Sequence, residues 1–278
     1  MVPARNCLPH SLLSPPYPAA PSYLTAPART PLTCLLSRSA SPPSCFDCAC
    51  VVTRFSPSHA RLHQVFNTAS HFVGAMLALL GTAELITKAS EQSQPWKIVG
   101  FSIYGASLIA LFACSTMHHM LEGPAAMERG LRIADFAAIF PLIAGTFTPP
   151  CLVLLHGKGI GWVLLGTVWF LAAAGIAIIV SAFDHLPKWL PLTMFLTMGW
   201  MGALLGIAIF PYVGVAGIAL LLAGGIAFSV GGAIYHAETP NPIPGKFGFH
   251  EIWHCAVLLG ALLHWLFMWF FIVPYIPS

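Results

Sequence analysis

Residues 160–182 read IGWVLLGTVWFLAAAGIAIIVSA, a run without any acidic or basic side chain. Lys158 precedes this run and Asp184 follows it. An α-helix needs roughly 20 apolar residues to cross the hydrocarbon core of a bilayer. The run therefore predicts a helix that spans a membrane, with a charged residue near each end.

The composition extends this prediction to most of the chain. Of the 278 residues, 57% are hydrophobic and only 8% are charged, and the mean hydropathy is +0.80. Because a soluble domain is about 25% charged, we predict an all-α membrane protein that crosses the bilayer several times. The formal net charge of +3 is small and scattered, and no basic patch indicates binding to nucleic acid.

Apolar runs of membrane length recur after His59 and are separated by charged residues. Trp and Tyr residues lie near several of their ends, as is typical of membrane interfaces. We predict one domain, residues 59–278, with seven transmembrane helices. Their predicted spans are 67–87, 97–120, 133–155, 160–182, 190–211, 214–236 and 250–273.

Residues 1–58 differ in composition, being rich in Pro, Ser, Ala and Arg with Asp47 as the one acidic residue. Such a segment buries too little apolar surface to fold alone, so we expect it to be disordered. Its composition is typical of an organelle transit peptide. The alternative is an upstream extension that the working protein lacks, although no methionine lies between Met1 and Met76.

Lys and Arg predict the orientation of the bundle, because cytoplasmic loops carry an excess of them. With the N-terminus inside, the cytoplasmic segments contain Arg54, Arg61, Arg129, Arg132, Lys188 and Lys246. The opposite loops contain Lys88, Lys97 and Lys158. We therefore expect a cytoplasmic N-terminus and, because seven is odd, a C-terminus on the outer side.

Polar residues lie at the ends of three predicted spans, and ionisable groups at membrane depth indicate function. Ser115 and His119 lie near the end of the second span, and Asp135 lies near the start of the third. His250 and His254 begin the seventh span. Alternate crossings place these ends on one side of the membrane. Within each helix the paired residues are four apart, so they share a face.

These side chains are typical of a zinc site. Zn²⁺ binds neutral imidazole, and three protein ligands with one open position form the catalytic pattern. We predict His119, His250 and His254 as the ligands of Zn²⁺. Asp135 would offset the charge of the ion, and it is the candidate general base for attack of water on a carbonyl. Ser115 is a candidate contact to the substrate or to these groups.

Two neighbours of the predicted ligands leave alternatives open. His118 adjoins His119 but projects about 100° away on a helix, which makes it the poorer ligand. Residues 250–254 read His-Glu-Ile-Trp-His and also match the H-E-x-x-H pattern of zinc proteases, in which Glu251 would be the base. We interpret His156 and His264 as packing or interfacial residues.

Four segments together resemble the haemolysin III / progestin and adipoQ receptor (PAQR) family of seven-span membrane proteins. They are Asn67-x-x-x-His71, Ser115-x-x-x-His119, the run from Asp135 through Ala144-Gly145-Thr146-Phe147-Thr148-Pro149, and His250-x-x-x-His254. The resemblance covers roughly residues 62–275. It implies seven helices, an inside N-terminus and a zinc ion near the cytoplasmic face.

The resemblance also implies roles for single residues. The implied zinc ligands are His119, His250 and His254, with Ser115 and Asp135 close to the ion. Asn67 and His71 would be motif residues with structural roles. The chain departs from the family pattern at Gln64, where an acidic residue is common three positions before the Asn.

Zinc chemistry and the resemblance favour a membrane-embedded zinc hydrolase that acts on lipid amides or esters, such as a ceramide-like substrate. The alternative is a membrane receptor or membrane-stress sensor in which zinc only stabilises the bundle. The family name suggests a pore-forming haemolysin, but the sequence contains no amphipathic pore segment. A membrane lipid is the expected partner. We expect the protein in the cell membrane, or in an organelle membrane if residues 1–58 are a transit peptide.

Overall fold

The computed structural model describes the backbone of residues 58–276 and the side chains of residues 64–276. Within this range the chain is helical, apart from its loops and one isolated β-bridge between Ile243 and Phe247. This confirms the predicted all-α class. The predicted N-terminal extension lies outside the described residues, except for Ser58, which begins the first helix.

Seven α-helices follow one another along the described chain. They are α1 (Ser58–Glu91), α2 (Pro95–Met120), α3 (Ala125–Val153), α4 (Gly159–Ala182), α5 (Trp189–Trp200), α6 (Gly202–Ala237) and α7 (Phe249–Phe267). A 3₁₀ turn at Phe183–His185 follows α4, and a π-helical turn at Met268–Ile272 continues α7.

Six helical stretches of the described chain are long and apolar enough to cross a membrane. One of them, Trp189–Ala237, covers 49 residues and includes both α5 and α6. It contains a reversal, because Gly214 adopts φ 60° and ψ −165°, a conformation that strongly favours glycine. Trp200 Nε1 donates to Ser229 Oγ at 3.1 Å, and Leu192 packs against Gly232. The chain on the two sides of Gly214 therefore runs antiparallel.

The two antiparallel helical segments on either side of Gly214 form a hairpin, which locates the boundary between two predicted spans. The reversal at Gly214 falls at the predicted junction between 190–211 and 214–236. α5 and α6 meet at Met201, whose φ −57° and ψ −18° are close to helical, so the predicted span 190–211 is nearly continuous. A count of seven spans requires such a hairpin, but the count itself and the inside N-terminus stay predictions.

Helices α1, α2 and α7 position the polar end of the bundle. α1 contacts both α2 and α7. Gly74 permits this approach, because a Cβ there would lie 2.8 Å from Phe112 Cδ1 and 2.9 Å from Leu258 Cδ2. On the outward face of α1, Leu77 and Leu80 are 61% and 67% exposed. Apolar side chains therefore face outwards and polar ones inwards, as expected for helices in lipid.

Candidate metal centre

Three histidines from two helices meet at one end of the bundle. His119 lies in the last turn of α2, and His250 and His254 lie in the first two turns of α7. One ring nitrogen of each lies within 4.8 Å of the others. The Nε2 atoms of His119 and His250 are 3.3 Å apart, and the rings of His119 and His254 have centroids 4.9 Å apart. We call these residues the three-histidine group.

The geometry of this group fits a metal ion. Zinc bonds imidazole nitrogen at about 2.0–2.1 Å, so tetrahedral ligands lie roughly 3.3 Å from one another. The Nε2 atoms of His119 and His250 have this separation. His119 and His254 are buried and His250 is half-buried, so solvent competes little for their nitrogens. The predicted ligands therefore form a group that can bind a metal ion.

A residue that the sequence analysis missed orients His119. Gln64 Oε1, on α1, lies 2.9 Å from His119 Nδ1. Because an amide oxygen only accepts hydrogen bonds, Nδ1 is the donor. The lone pair of the ring then lies on Nε2, which faces His250. Gln64, noted in the sequence only as a departure from the family pattern, is thus a hydrogen-bond acceptor for a predicted ligand.

Ser70 has the same relation to His254. Its Oγ donates to the Asn67 carbonyl oxygen at 3.1 Å and lies 3.2 Å from His254 Nδ1. Because the hydroxyl proton is used in the bond to Asn67, Oγ accepts from Nδ1, and the lone pair of His254 lies on Nε2. Such partners fix the tautomer and the orientation of metal-binding histidines.

His71 packs directly against the three-histidine group. Its ring stacks on His254 with centroids 3.7 Å apart, and it meets Phe112 edge-on at 5.1 Å. His71 and Asn67 are both buried. These contacts agree with the structural roles that the resemblance implied, since His71 supports a ligand ring without belonging to the ligand group.

Asp135 and Ser115 adjoin the three-histidine group. The Asp135 carboxylate, on α3, offers an oxygen within 4.8 Å of ring nitrogens of His118 and His119. Ser115, one turn before His119 on α2, lies within hydrogen-bonding reach of Asp135. The structure thus brings the predicted catalytic pair to the predicted ligands. Their catalytic roles stay predictions.

Glu251 caps α7. Its Oε2 accepts a hydrogen bond from the Gly248 backbone N–H at 2.8 Å, and the side chain is 1% exposed. A carboxylate in this position satisfies an N–H group that the helix start leaves free. Neither of the two donor groups found among the described residues includes Glu251. The zinc-protease pattern uses Glu251 as a base and not as a ligand, so that alternative stays a prediction.

Comparison with known proteins gives independent evidence for the family of this chain. A family model described as "Haemolysin-III related" matches residues 60–265. Hemolysin-3 of Bacillus cereus is 34% identical over 212 residues, which cover 76% of this chain and 92% of that protein. The Hemolysin-3 homolog of Bacillus subtilis (strain 168) is 35% identical over 201 residues, covering 71% and 89%. The Homo sapiens monocyte to macrophage differentiation factor is 27% identical over 209 residues, covering 73% and 82%.

The matched region contains the three-histidine group, its partners Gln64 and Ser70, and the Ser115–Asp135 pair. The resemblance predicted from the four sequence segments is thereby confirmed. Helices of membrane length, the convergence of the motif residues and the extent of the matches together show that this chain is a multi-pass membrane protein of the haemolysin III-related (PAQR) family.

Proposed function

We propose that the protein is a zinc-dependent hydrolase of lipid amides or esters, with its site near the cytoplasmic face of the membrane. One observation carries this proposal: the three-histidine group and the Ser115–Asp135 pair adjoin each other inside an apolar bundle. When bound, Zn²⁺ supplies a Lewis acid that polarises a carbonyl and lowers the barrier to attack by water.

In this proposal the protein side chains have separate roles. His119, His250 and His254 would hold the ion with neutral nitrogens, and the Asp135 carboxylate would offset part of its charge. Asp135 is also the general base, accepting a proton from the attacking water. The Ser115 hydroxyl, which lies within hydrogen-bonding reach, would orient that carboxylate. Hydrolysis then releases a fatty acid and an amine or alcohol.

A cavity in the bundle supports a lipid substrate. It has a volume of about 150 Å³ and lies among α3, α5, α6 and α7. Leu142, Phe195, Leu222 and Trp253 are among its mostly apolar lining residues. Trp253 precedes His254 in the chain, so the cavity borders the turn of α7 that carries the ligands. Such a lining favours an acyl chain over a polar substrate.

The test is fatty-acid release from a panel of N-acylated and O-acylated lipids, ceramide included, by zinc-loaded protein in lipid nanodiscs. We expect turnover by the wild type and a loss of about 10²–10⁴-fold in Asp135→Asn, because a general base is removed. Zinc content should stay at the wild-type level in this variant, because the three ligands remain.

Thr116→Ala is the matched control. Thr116 is buried beside Ser115 in α2, but its hydroxyl donates to the Phe112 carbonyl oxygen at 2.7 Å. Its loss should leave turnover close to that of the wild type. Equal turnover in Asp135→Asn, or no turnover by zinc-loaded wild type across the panel, would overturn the proposal. The second of these results would favour a receptor or sensor with structural zinc.

A further inference from the structure

We propose that His118, His119 and Asp135 form a second metal position, which overlaps the three-histidine group and passes an ion to it. One ligand atom from each residue lies within 4.8 Å of the others. The His118 and His119 rings have centroids 4.8 Å apart. Two imidazoles and one carboxylate are a known donor set for zinc with an open position. We call this set the entry position.

His118 has a buried ring nitrogen without a hydrogen-bond partner. Its Nδ1 is shielded from solvent and makes no hydrogen bond with the described part of the chain. A buried ring nitrogen without a partner is unfavourable, and binding an ion would remove that penalty. From the sequence, His118 was predicted to be the poorer ligand of α2, because it projects away from His119. The structure shows that it projects towards Asp135 of α3.

The two metal positions exclude one another, because both need His119. Its Nε2 faces His250 at 3.3 Å, and its Nδ1 donates to Gln64 at 2.9 Å. Both nitrogens are thus committed when the three-histidine group is assembled. A single imidazole has no third ring nitrogen to offer. One ion per chain therefore moves between the positions, and two ions are not bound together.

The entry position is the more open of the two. Two of its three residues, His118 and Asp135, are half-buried, whereas only His250 is half-buried in the three-histidine group. α2 ends at Met120, whose side chain is 55% exposed, so His118 lies in the last turn before the loop. In this proposal, an ion reaches His118 from the loop that follows α2.

Charge attracts an ion to the entry position, and strain weakens its binding there. Asp135 gives the entry position a negative charge that attracts a dication, and the three-histidine group is neutral. The opposite charges of Glu128 and Arg132 both act on His118 and partly cancel. Adjacent residues on a helix project about 100° apart. His118 and His119 therefore bind one ion only with strain, which makes the entry position the weaker.

The direct experiment removes the three-histidine group and leaves the entry position. Metal-free His250→Ala/His254→Ala protein is dialysed against excess zinc, and bound metal is measured by elemental analysis. We expect about one weakly held zinc ion per chain. Adding His118→Ala or Asp135→Asn should abolish it. Adding His156→Ala, an exposed histidine that packs on Trp96, should not.

A kinetic measurement decides the matter if the double variant does not fold. In the otherwise wild-type protein, His118→Ala should slow zinc uptake several-fold, as followed with a fluorescent zinc indicator, and leave the final zinc content unchanged. The inference would be overturned if the folded double variant bound no zinc, or if its zinc binding survived the addition of His118→Ala. It would also be overturned if His118→Ala alone left the rate of zinc uptake unchanged. It concerns metal binding alone, so its failure and the failure of lipid hydrolysis are seen in separate assays.

Discussion

Polar groups are buried at both ends of the bundle, but their hydrogen-bonding requirements are met differently. At one end, Lys97 is 1% exposed, and its ammonium donates to the Val273 carbonyl oxygen at 2.7 Å and to Gln92 Oε1 at 2.5 Å. At the other end, the Nε2 atoms of His119 and His250 face each other at 3.3 Å. Lys97 is satisfied by the chain itself, whereas the histidines present lone pairs that converge on one point.

This difference shows that burial of an ionisable group does not by itself indicate a functional site. Lys97 joins the first turn of α2 to the backbone beyond α7, where a cation is favourable near free carbonyl groups. Its role is structural. Lys97 was counted with the outer loop for the orientation and also began the predicted span 97–120; it lies in the first turn of α2. Convergent acceptors, rather than buried charge, mark the metal centre.

The largest effect that would sharpen this contrast is expected for Lys97→Ala. The change leaves the Val273 carbonyl unsatisfied and opens a cavity, so the free energy of unfolding should fall by about 2–4 kcal/mol. Zinc content should not change. Thermal unfolding in detergent, with elemental analysis of the same samples, measures both quantities.

Lys88→Ala is the control for Lys97. Lys88 pairs with Glu91 at 3.0 Å on the surface, and an exposed ion pair contributes at most about 1 kcal/mol. If folded Lys97→Ala protein lost its zinc while Lys88→Ala retained it, the two ends of the bundle would not be independent, and the role of Lys97 would not be purely structural.

A smaller effect, confined to the histidine end, is expected for Gln64→Ala and Ser70→Ala. Each removes the acceptor that holds the Nδ1 proton of a ligand, and the loss of such a partner weakens metal binding about 10–100-fold. Competition with a zinc chelator of known affinity measures the change. Gln64→Glu keeps an acceptor and should bind zinc at least as tightly as wild type. Unchanged affinity in Gln64→Ala and Ser70→Ala would remove their proposed orienting role.

The sequence predicted the parts of the molecule that depend on local pattern. Apolar runs such as residues 160–182 predicted the helices, and four-residue spacing with alternate crossings placed His119 beside His250 and His254. Gln64 was not predicted as a partner, because it lies 55 residues from His119 and Gln is not a residue type that indicates metal binding. Ser70 was not predicted as a partner of His254 for the same reason, since the two residues are 184 positions apart.

Local pattern gives Glu251 two interpretations. Residues 250–254 match a zinc-protease motif, yet Glu251 bonds to the Gly248 N–H at the start of α7. A short motif and a helix cap can contain the same glutamate, and only the neighbouring backbone separates them.

The metal content of purified protein tests the three-histidine group most directly. Wild type and His250→Ala/His254→Ala are washed with a chelator that strips weakly held ions, and zinc is measured per chain alongside the helical content. We predict about one zinc ion per chain in the wild type and none in the folded double variant. Well-folded wild type without zinc, or equal zinc in both proteins, would contradict the metal centre and leave the histidines as packing residues.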